Sequence, residues 1–436
     1  MNEASKEGLT QEQQTIRDLS NRLVDLQRPI RVLDAIKWDA SVQKAFFASQ
    51  FKELPPIDVN YYQRQPLSYD PHKKIQEFLD FELEVQKRLG KISGLSLLLQ
   101  RMSREYRDVI RLLQARGTPE FGSISRALYG SSDDAFYVDG PTNKDMAALL
   151  STALPKLKEQ TQGPQDVKRY NSEEAVQILK ERFADYFNDP AEPVRVEISD
   201  TIIADASAGA EAVKLRSDAI FSDRDLRVLE VHEGWVHLGT TLNGLNQPIC
   251  TFLSKGPPSS TITQEGLAVI TEVFTFSMYP ARLQRLTDRI LAISMAESGA
   301  NFIEVFNFYR ERGHVEEESY ALAVRVFRGS LPEGGTPFTK DLVYSRGFVL
   351  IYNYIRLSIQ CGVLNYIPLL FLGKTTLEDL PLMDDLIEHG FIKPPKYMPP
   401  QFRDLASLSS WMNFSLFMNQ IDLQKMAVDF KAILRK

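Results

Sequence analysis

The sequence predicts an α+β fold that is predominantly helical, with a small β-sheet beside a helix suited to holding a metal ion. Three observations predict it. Apolar residues recur at helical spacing over most of the 436 residues. Strand-like alternation is confined to two short runs, Val194-Val196-Ile198 interleaved with Arg195 and Glu197, and Val213-Lys214-Leu215-Arg216. Directly after these runs comes Val231-His232-Glu233-Gly234-Trp235-Val236-His237, which gathers two of the chain's five histidines.

Taken in order, residues 10–50 read as helical, with Ile16, Leu19, Leu23 and Leu26 on one face. Residues 53–71, rich in proline and tyrosine, read as a loop, and helices follow at 71–89 and 95–115. The stretch 116–142 is rich in Gly, Ser, Asp and Pro and reads as turns. No G-K-[ST] follows its glycines, so a phosphate-cradling loop is disfavoured. A helix at 144–160, with a kink expected at Pro155, leads to a polar connector at 161–166. That connector divides a mostly helical region, 1–165, from the region carrying the site, 166–436. Helix resumes at 172–187, ahead of the two strands. Beyond the histidines, helices are expected at 264–278, 281–312, 316–328, 339–360, 376–389 and 407–434.

Composition narrows the function classes. A hydrophobic fraction of 43% and a charged fraction of 25% belong to a soluble globular protein. A net charge of −6 supplies no drive towards nucleic acid or anionic membranes. Cys250 and Cys361, the two cysteines, fit a reducing compartment rather than a disulfide scaffold. The polar first eight residues lack a signal-peptide core, and no run of eighteen apolar residues exists, so a cytoplasmic location is expected. Oligomeric state is not legible.

His232 and His237 stand in the spacing H-E-x-x-x-H, one residue longer than that of many zinc peptidases. Neutral imidazoles suit zinc, and a catalytic zinc keeps three protein ligands and one open position for water. Zinc lowers the pKa of that water towards about 7, and Glu233, next to the first imidazole, is placed to take its proton as general base. Positions five apart on a regular helix diverge by about 140°, so the spacing predicts a widened turn over 232–237, eased by Gly234. Ser222 and Asp225 resemble a capping box that opens this helix, and Asn243-Gly244 is its expected stop. Thr263-Gln264-Glu265-Gly266-Leu267-Ala268 supplies the third ligand. Thr261 with Gln264 is taken as its helix cap, which puts Glu265 at the helix entrance. Glu272, seven residues on, shares nearly the same face. Glu265 is the preferred ligand and Glu272 the partner of an imidazole N–H, with Glu272 as rival ligand. Gly266 is expected to permit close helix approach.

H-E-x-x-x-H followed by a Q-E-G-L-A helix resembles the bacterial QEGLA-motif proteins, which belong with the microtubule-associated tyrosine carboxypeptidases, a zinc metallopeptidase family. The resemblance runs over about 194–360 and includes Val326-Phe327-Arg328-Gly329 and Pro337-Phe338-Thr339-Lys340-Asp341. It implies a zincin-like core and a zinc-dependent carboxypeptidase acting on a peptide or protein C-terminus, with His232, His237 and Glu265 on Zn2+ and Glu233 in catalysis. It does not imply tubulin as the substrate. Capture of a terminal carboxylate calls for cations, and Arg328 and Lys340, with Arg325 and Arg346, are the candidates. Tyr344, Tyr320 and His314 are candidates to stabilise an oxyanion. Alternatives are an endo- or aminopeptidase, or a regulatory protein with a structural metal site. A structural zinc fills its four positions with protein, and no fourth soft ligand lies nearby, which favours catalysis.

Overall fold

The computed structural model describes residues 8–190, 192–200, 202, 205–209 and 212–434, so the polar opening stretch lies outside it up to residue 7. Helix accounts for 65% of the protein and, among the described residues, strands form one three-stranded sheet, which is the helix-dominated α+β class that the periodicity indicated.

The N-terminal helical stretch is three helices rather than one: Gln11–Gln27, Val32–Ala35 and Ala40–Ala48. Pro29, which has no N–H to give, falls in the first break. Two long helices, Pro71–Leu89 and Gly94–Gln114, follow as expected. The glycine- and serine-rich stretch after them is not all turn. It holds a helix, Pro119–Tyr129, buried on the face of Phe121, Ser125 and Tyr129, opened by proline in its first turn and ended at Gly130 with φ +91°. The short helix Val59–Gln63 likewise interrupts the stretch read as loop.

The sheet is built from β1 (Arg195–Ser199), β2 (Ala206–Ala208) and β3 (Ala212–Arg216), in spatial order β1-β3-β2. β1 pairs parallel with β3, Val196 opposite Val213, while β2 pairs antiparallel, Ala208 opposite Val213. β2 went unread because Ala-Ser-Ala carries no apolar alternation. Two later helices also divide. Residues 281–312 form Pro280–Glu297 and Phe302–Glu311, parted at Gly299 with φ +102°, and the last stretch forms Leu405–Met418 and Leu423–Leu434.

The helix that carries Q-E-G-L-A runs Pro258–Phe274 and is buried along most of its length. It packs against Val343–Gln360 at a glycine contact: a Cβ on Gly266 would lie 2.8 Å from the Cα of Gly347. Around it the largest of four apolar clusters among the described residues joins Leu19, Phe78 and Leu99 to Phe252, Leu267, Ile351 and Phe371. Among the described residues no helix is long and apolar enough to cross a membrane.

Candidate metal centre and its surroundings

The motif helix starts where the capping signal placed it. Ser222 Oγ accepts from the Asp225 backbone N–H at 3.1 Å, and the Asp225 carboxylate accepts from the Ser222 N–H at 3.0 Å. One α-helical stretch, Asp223–Leu229, then opens into a π-helix over Glu230–Leu238 and closes again as α-helix from Gly239. The wider bore puts residues five apart on one face, so the rings of His232 and His237 lie 4.7 Å apart. The widened turn expected from the spacing is present. Gly234 serves it by permitting close approach as well as by flexibility, since a Cβ there would lie 2.6 Å from Cζ of Phe183.

Glu265 comes from the facing helix. Its Oε2 is 3.3 Å from His232 Nε2 and 3.3 Å from His237 Nε2, and the three ligand atoms all lie within 4.8 Å of one another. That oxygen is buried and makes no well-formed hydrogen bond. Helix Pro258–Phe274 begins six residues earlier than expected, so Thr261 and Gln264 are not its cap. Glu265 sits in its third turn, not at the expected helix entrance, and so gains nothing from the helix dipole. Glu272 lies two turns further on and takes the other side of the same ring, with Oε1 2.6 Å from His232 Nδ1. The seven-residue spacing thus lets one helix bracket both nitrogens of a single imidazole.

Behind Glu272 stands Arg282, which donates to it twice, at 3.0 Å and 2.8 Å. Sequence reading missed Arg282, whose only local signal was a cation beyond the end of the helix. Burial works against charge on His232, yet Glu265 and Glu272 outweigh it and raise the ring to about 9. Burial likewise opposes ionisation of Glu265, but His237 and His232 hold its carboxyl well below the usual range. Glu272, against the same burial, is brought down to about 2 by Arg282 and His232. Glu233 is half-buried and its Oε2 accepts from the Ala208 N–H of β2 at 2.8 Å, so the unread strand orients the proposed base.

The expected substrate residues separate into two groups. Arg325 is committed to Asp341 through two hydrogen bonds of 2.8 and 2.9 Å. Arg289 reaches the same carboxylate only at 3.8 Å and lies over the Tyr344 ring. Arg328 is 5% exposed, its Nε has no acceptor, and burial with neighbouring Arg325 pushes its pKa down to about 10. Lys340, pushed down by burial, feels Glu265 and Asp341 most strongly. Among the described residues neither Arg328 nor Lys340 has a carboxylate within salt-bridge distance. The Tyr344 ring stacks 6.2 Å from that of His232. The remaining three are drawn elsewhere: Arg346 is 3.6 Å from Asp134, His314 is 2.8 Å from Glu318, and Tyr320 packs on Phe46 and Phe302.

One more cation was missed. Lys374 Nζ donates to the carbonyl of His237 at 3.1 Å, to Thr240 Oγ1 at 3.1 Å and to Gln264 Oε1 at 2.9 Å. Burial pushes its ammonium down to about 7, while Glu265 pulls the other way.

Fold and site together define a helix-rich α+β protein in which two imidazoles and a carboxylate converge on one point, with an under-neutralised cation group nearby. The comparisons narrow this class. The sequence model of the microtubule-associated tyrosine carboxypeptidase family matches residues 44–420, and the chain belongs to that family. Membership implies carboxypeptidase-like hydrolysis of a protein or peptide substrate. Among curated proteins none matches. A crystal structure described as a lipoprotein from Colwellia psychrerythraea aligns at 13% identity over 94% of this chain and 77% of that one, with a TM-score of 0.40, too distant to inform the fold.

Proposed function

We propose that the protein is a zinc-dependent carboxypeptidase with a zincin-like centre, removing a C-terminal residue from a peptide or protein. His232, His237 and Glu265 would hold the ion and Glu233 would act as general base. The observation that carries this reading is the buried, unbonded Glu265 Oε2 equidistant from two imidazole nitrogens at 3.3 Å. Ligands about 2.1 Å from a tetrahedral zinc are separated by about 3.4 Å, so the donor set fits. The donor types, two imidazoles and a carboxylate, are those of catalytic zinc sites.

When bound, zinc would supply Lewis acidity, polarising the scissile carbonyl and acidifying water. The protein does the rest. Glu272, clamped by Arg282, fixes the ring orientation of His232 and keeps its Nδ1 proton directed away from the ion. Glu233 takes the proton of the attacking water and returns it to the leaving amine. Arg328 and Lys340, both lacking a carboxylate partner, are the natural anchors for the substrate's terminal carboxylate, and such an anchor makes the enzyme an exopeptidase. Free thiols at Cys250 and Cys361 accord with a reducing compartment such as the cytoplasm.

Glu233→Gln should keep stoichiometric zinc and lose peptide hydrolysis. Undiminished hydrolysis would remove Glu233 from the mechanism. Amidating the C-terminus of a cleaved peptide should abolish turnover; continued cutting would instead indicate an endopeptidase.

A further inference from the structure

We infer that Lys374 and Gln264 form a positioning pair that locks the π-turn of the motif helix against the Q-E-G-L-A helix and thereby sets both His237 and Glu265. The inference rests on the metal-centre reading above and assigns a task to the glutamine of the motif.

Gln264 is 4% exposed and every polar atom of its amide is engaged. Its Oε1 accepts from Lys374 Nζ at 2.9 Å and from Thr240 Oγ1 at 2.7 Å, and its Nε2 donates to the Gly373 carbonyl at 3.1 Å. Lys374 in turn has three ammonium protons and three acceptors: Gln264 Oε1, Thr240 Oγ1 and the His237 carbonyl. No donor is left over for a substrate or a reacting oxygen, so Lys374 positions rather than catalyses. Its own backbone is tied down, the Lys374 N–H donating to the Leu253 carbonyl at 2.7 Å. The lysine therefore spans from an anchored loop to the backbone of one proposed ligand, His237. Beside Thr240 Oγ1, it also holds Gln264, the side chain immediately before the second ligand, Glu265.

A π-turn is a marginal conformation that needs outside support to persist beside regular helix. Here the support is specific. The His237 carbonyl also receives the hydroxyl of Thr241 at 2.7 Å, so side chains rather than helix alone hold this turn. Removing the lysine leaves Gln264 Oε1 and the His237 carbonyl short of a charged donor inside the core.

The test uses the full chain, with zinc alone as probe and chelator competition as readout. Lys374→Met is expected to weaken zinc binding roughly 10–100-fold, the usual effect of losing an outer partner of a metal ligand. kcat should fall while KM holds. Gln264→Met, which keeps the lysine, should weaken zinc similarly, and the double variant should be no worse than either single one. Amide hydrogen exchange over residues 237–242, measured without zinc, should quicken in Lys374→Met; this reads the lock even if wild type binds no zinc, an outcome that would sink the metal reading by itself. Zinc affinity and exchange both unchanged in Lys374→Met and Gln264→Met would overturn the inference.

Discussion

Replacing Gly266 by alanine tests how tightly the third proposed ligand is held. The helix Pro258–Phe274 meets Val343–Gln360 glycine to glycine. A Cβ on Gly266 would lie 2.8 Å from Gly347 Cα and closer still to its carbonyl, while a Cβ on Gly347 would lie 2.8 Å from Gly266 N. Ordinary contact begins at 3.4 Å, so a methyl group must part the two backbones by about 1 Å. The neighbours on both sides are backbone, with no flexible side chain to step aside. Glu265 is the adjacent residue, and its Oε2 is matched to two nitrogens at 3.3 Å. Metal sites tolerate ligand shifts of roughly 0.2 Å. Gly266→Ala is therefore expected to cost about 3 kcal/mol in urea unfolding, the upper end for overpacking, and to weaken zinc at least about tenfold. Gly163→Ala, where a Cβ meets nothing within 4 Å, is the control and should be silent in both assays. Stability within about 0.5 kcal/mol of wild type, with zinc affinity intact, would refute the close-contact reasoning.

Three further outcomes are expected. Glu272→Met strands the buried Arg282 guanidinium and frees the His232 ring; it should cost about 3–5 kcal/mol and loosen zinc, while Glu272→Met with Arg282→Met should regain stability but not zinc affinity. The stranded-cation reading fails if the double variant stays as unstable as the single one, and the ring-orienting reading fails if zinc affinity is unchanged in Glu272→Met. Arg328→Met removes a buried cation that has no carboxylate partner, so unfolding should show stability equal to wild type or higher. On free-acid peptides its kcat/KM should drop by roughly 10–100-fold, and unchanged kinetics would exclude it as the carboxylate anchor. The Asp288 carboxyl is pushed up to about 6 by burial, against the pull of Arg312. Its folded value exceeds the unfolded one of about 3.9, so the folded state retains a proton that the unfolded chain releases. This contribution to stability is present below about pH 4 and lost as pH rises through 6. Asp288→Asn should flatten that decline in urea midpoints between pH 4 and 8, and an unaltered slope would contradict it.

The sequence by itself determined what depends on neighbours a few residues away. Five-residue spacing of His232 and His237 demanded a widened turn, and the π-helix supplies it. Ser222 and Asp225 started the helix because a cap needs only its own first turn. The seven-residue interval from Glu265 to Glu272 put both carboxylates on one face, whatever that face would meet. Signals of this kind ran out at Pro258, where proline opened a helix ahead of the apparent Thr261 cap, and at β2, whose Ala-Ser-Ala has no period to read.

Only the tertiary structure decided which charges were spent and which were left. Arg325 and Arg328 are one turn apart on the same chain segment, yet Asp341 satisfies the first and leaves the second over the Phe338 ring without a carboxylate. Arg282 and Lys374 became part of the centre because packing delivered them to Glu272, Gln264 and the His237 carbonyl. The physical reason is range. Backbone periodicity and capping are settled within one or two turns, whereas a charge finds its partner only after the core has chosen which distant segments touch.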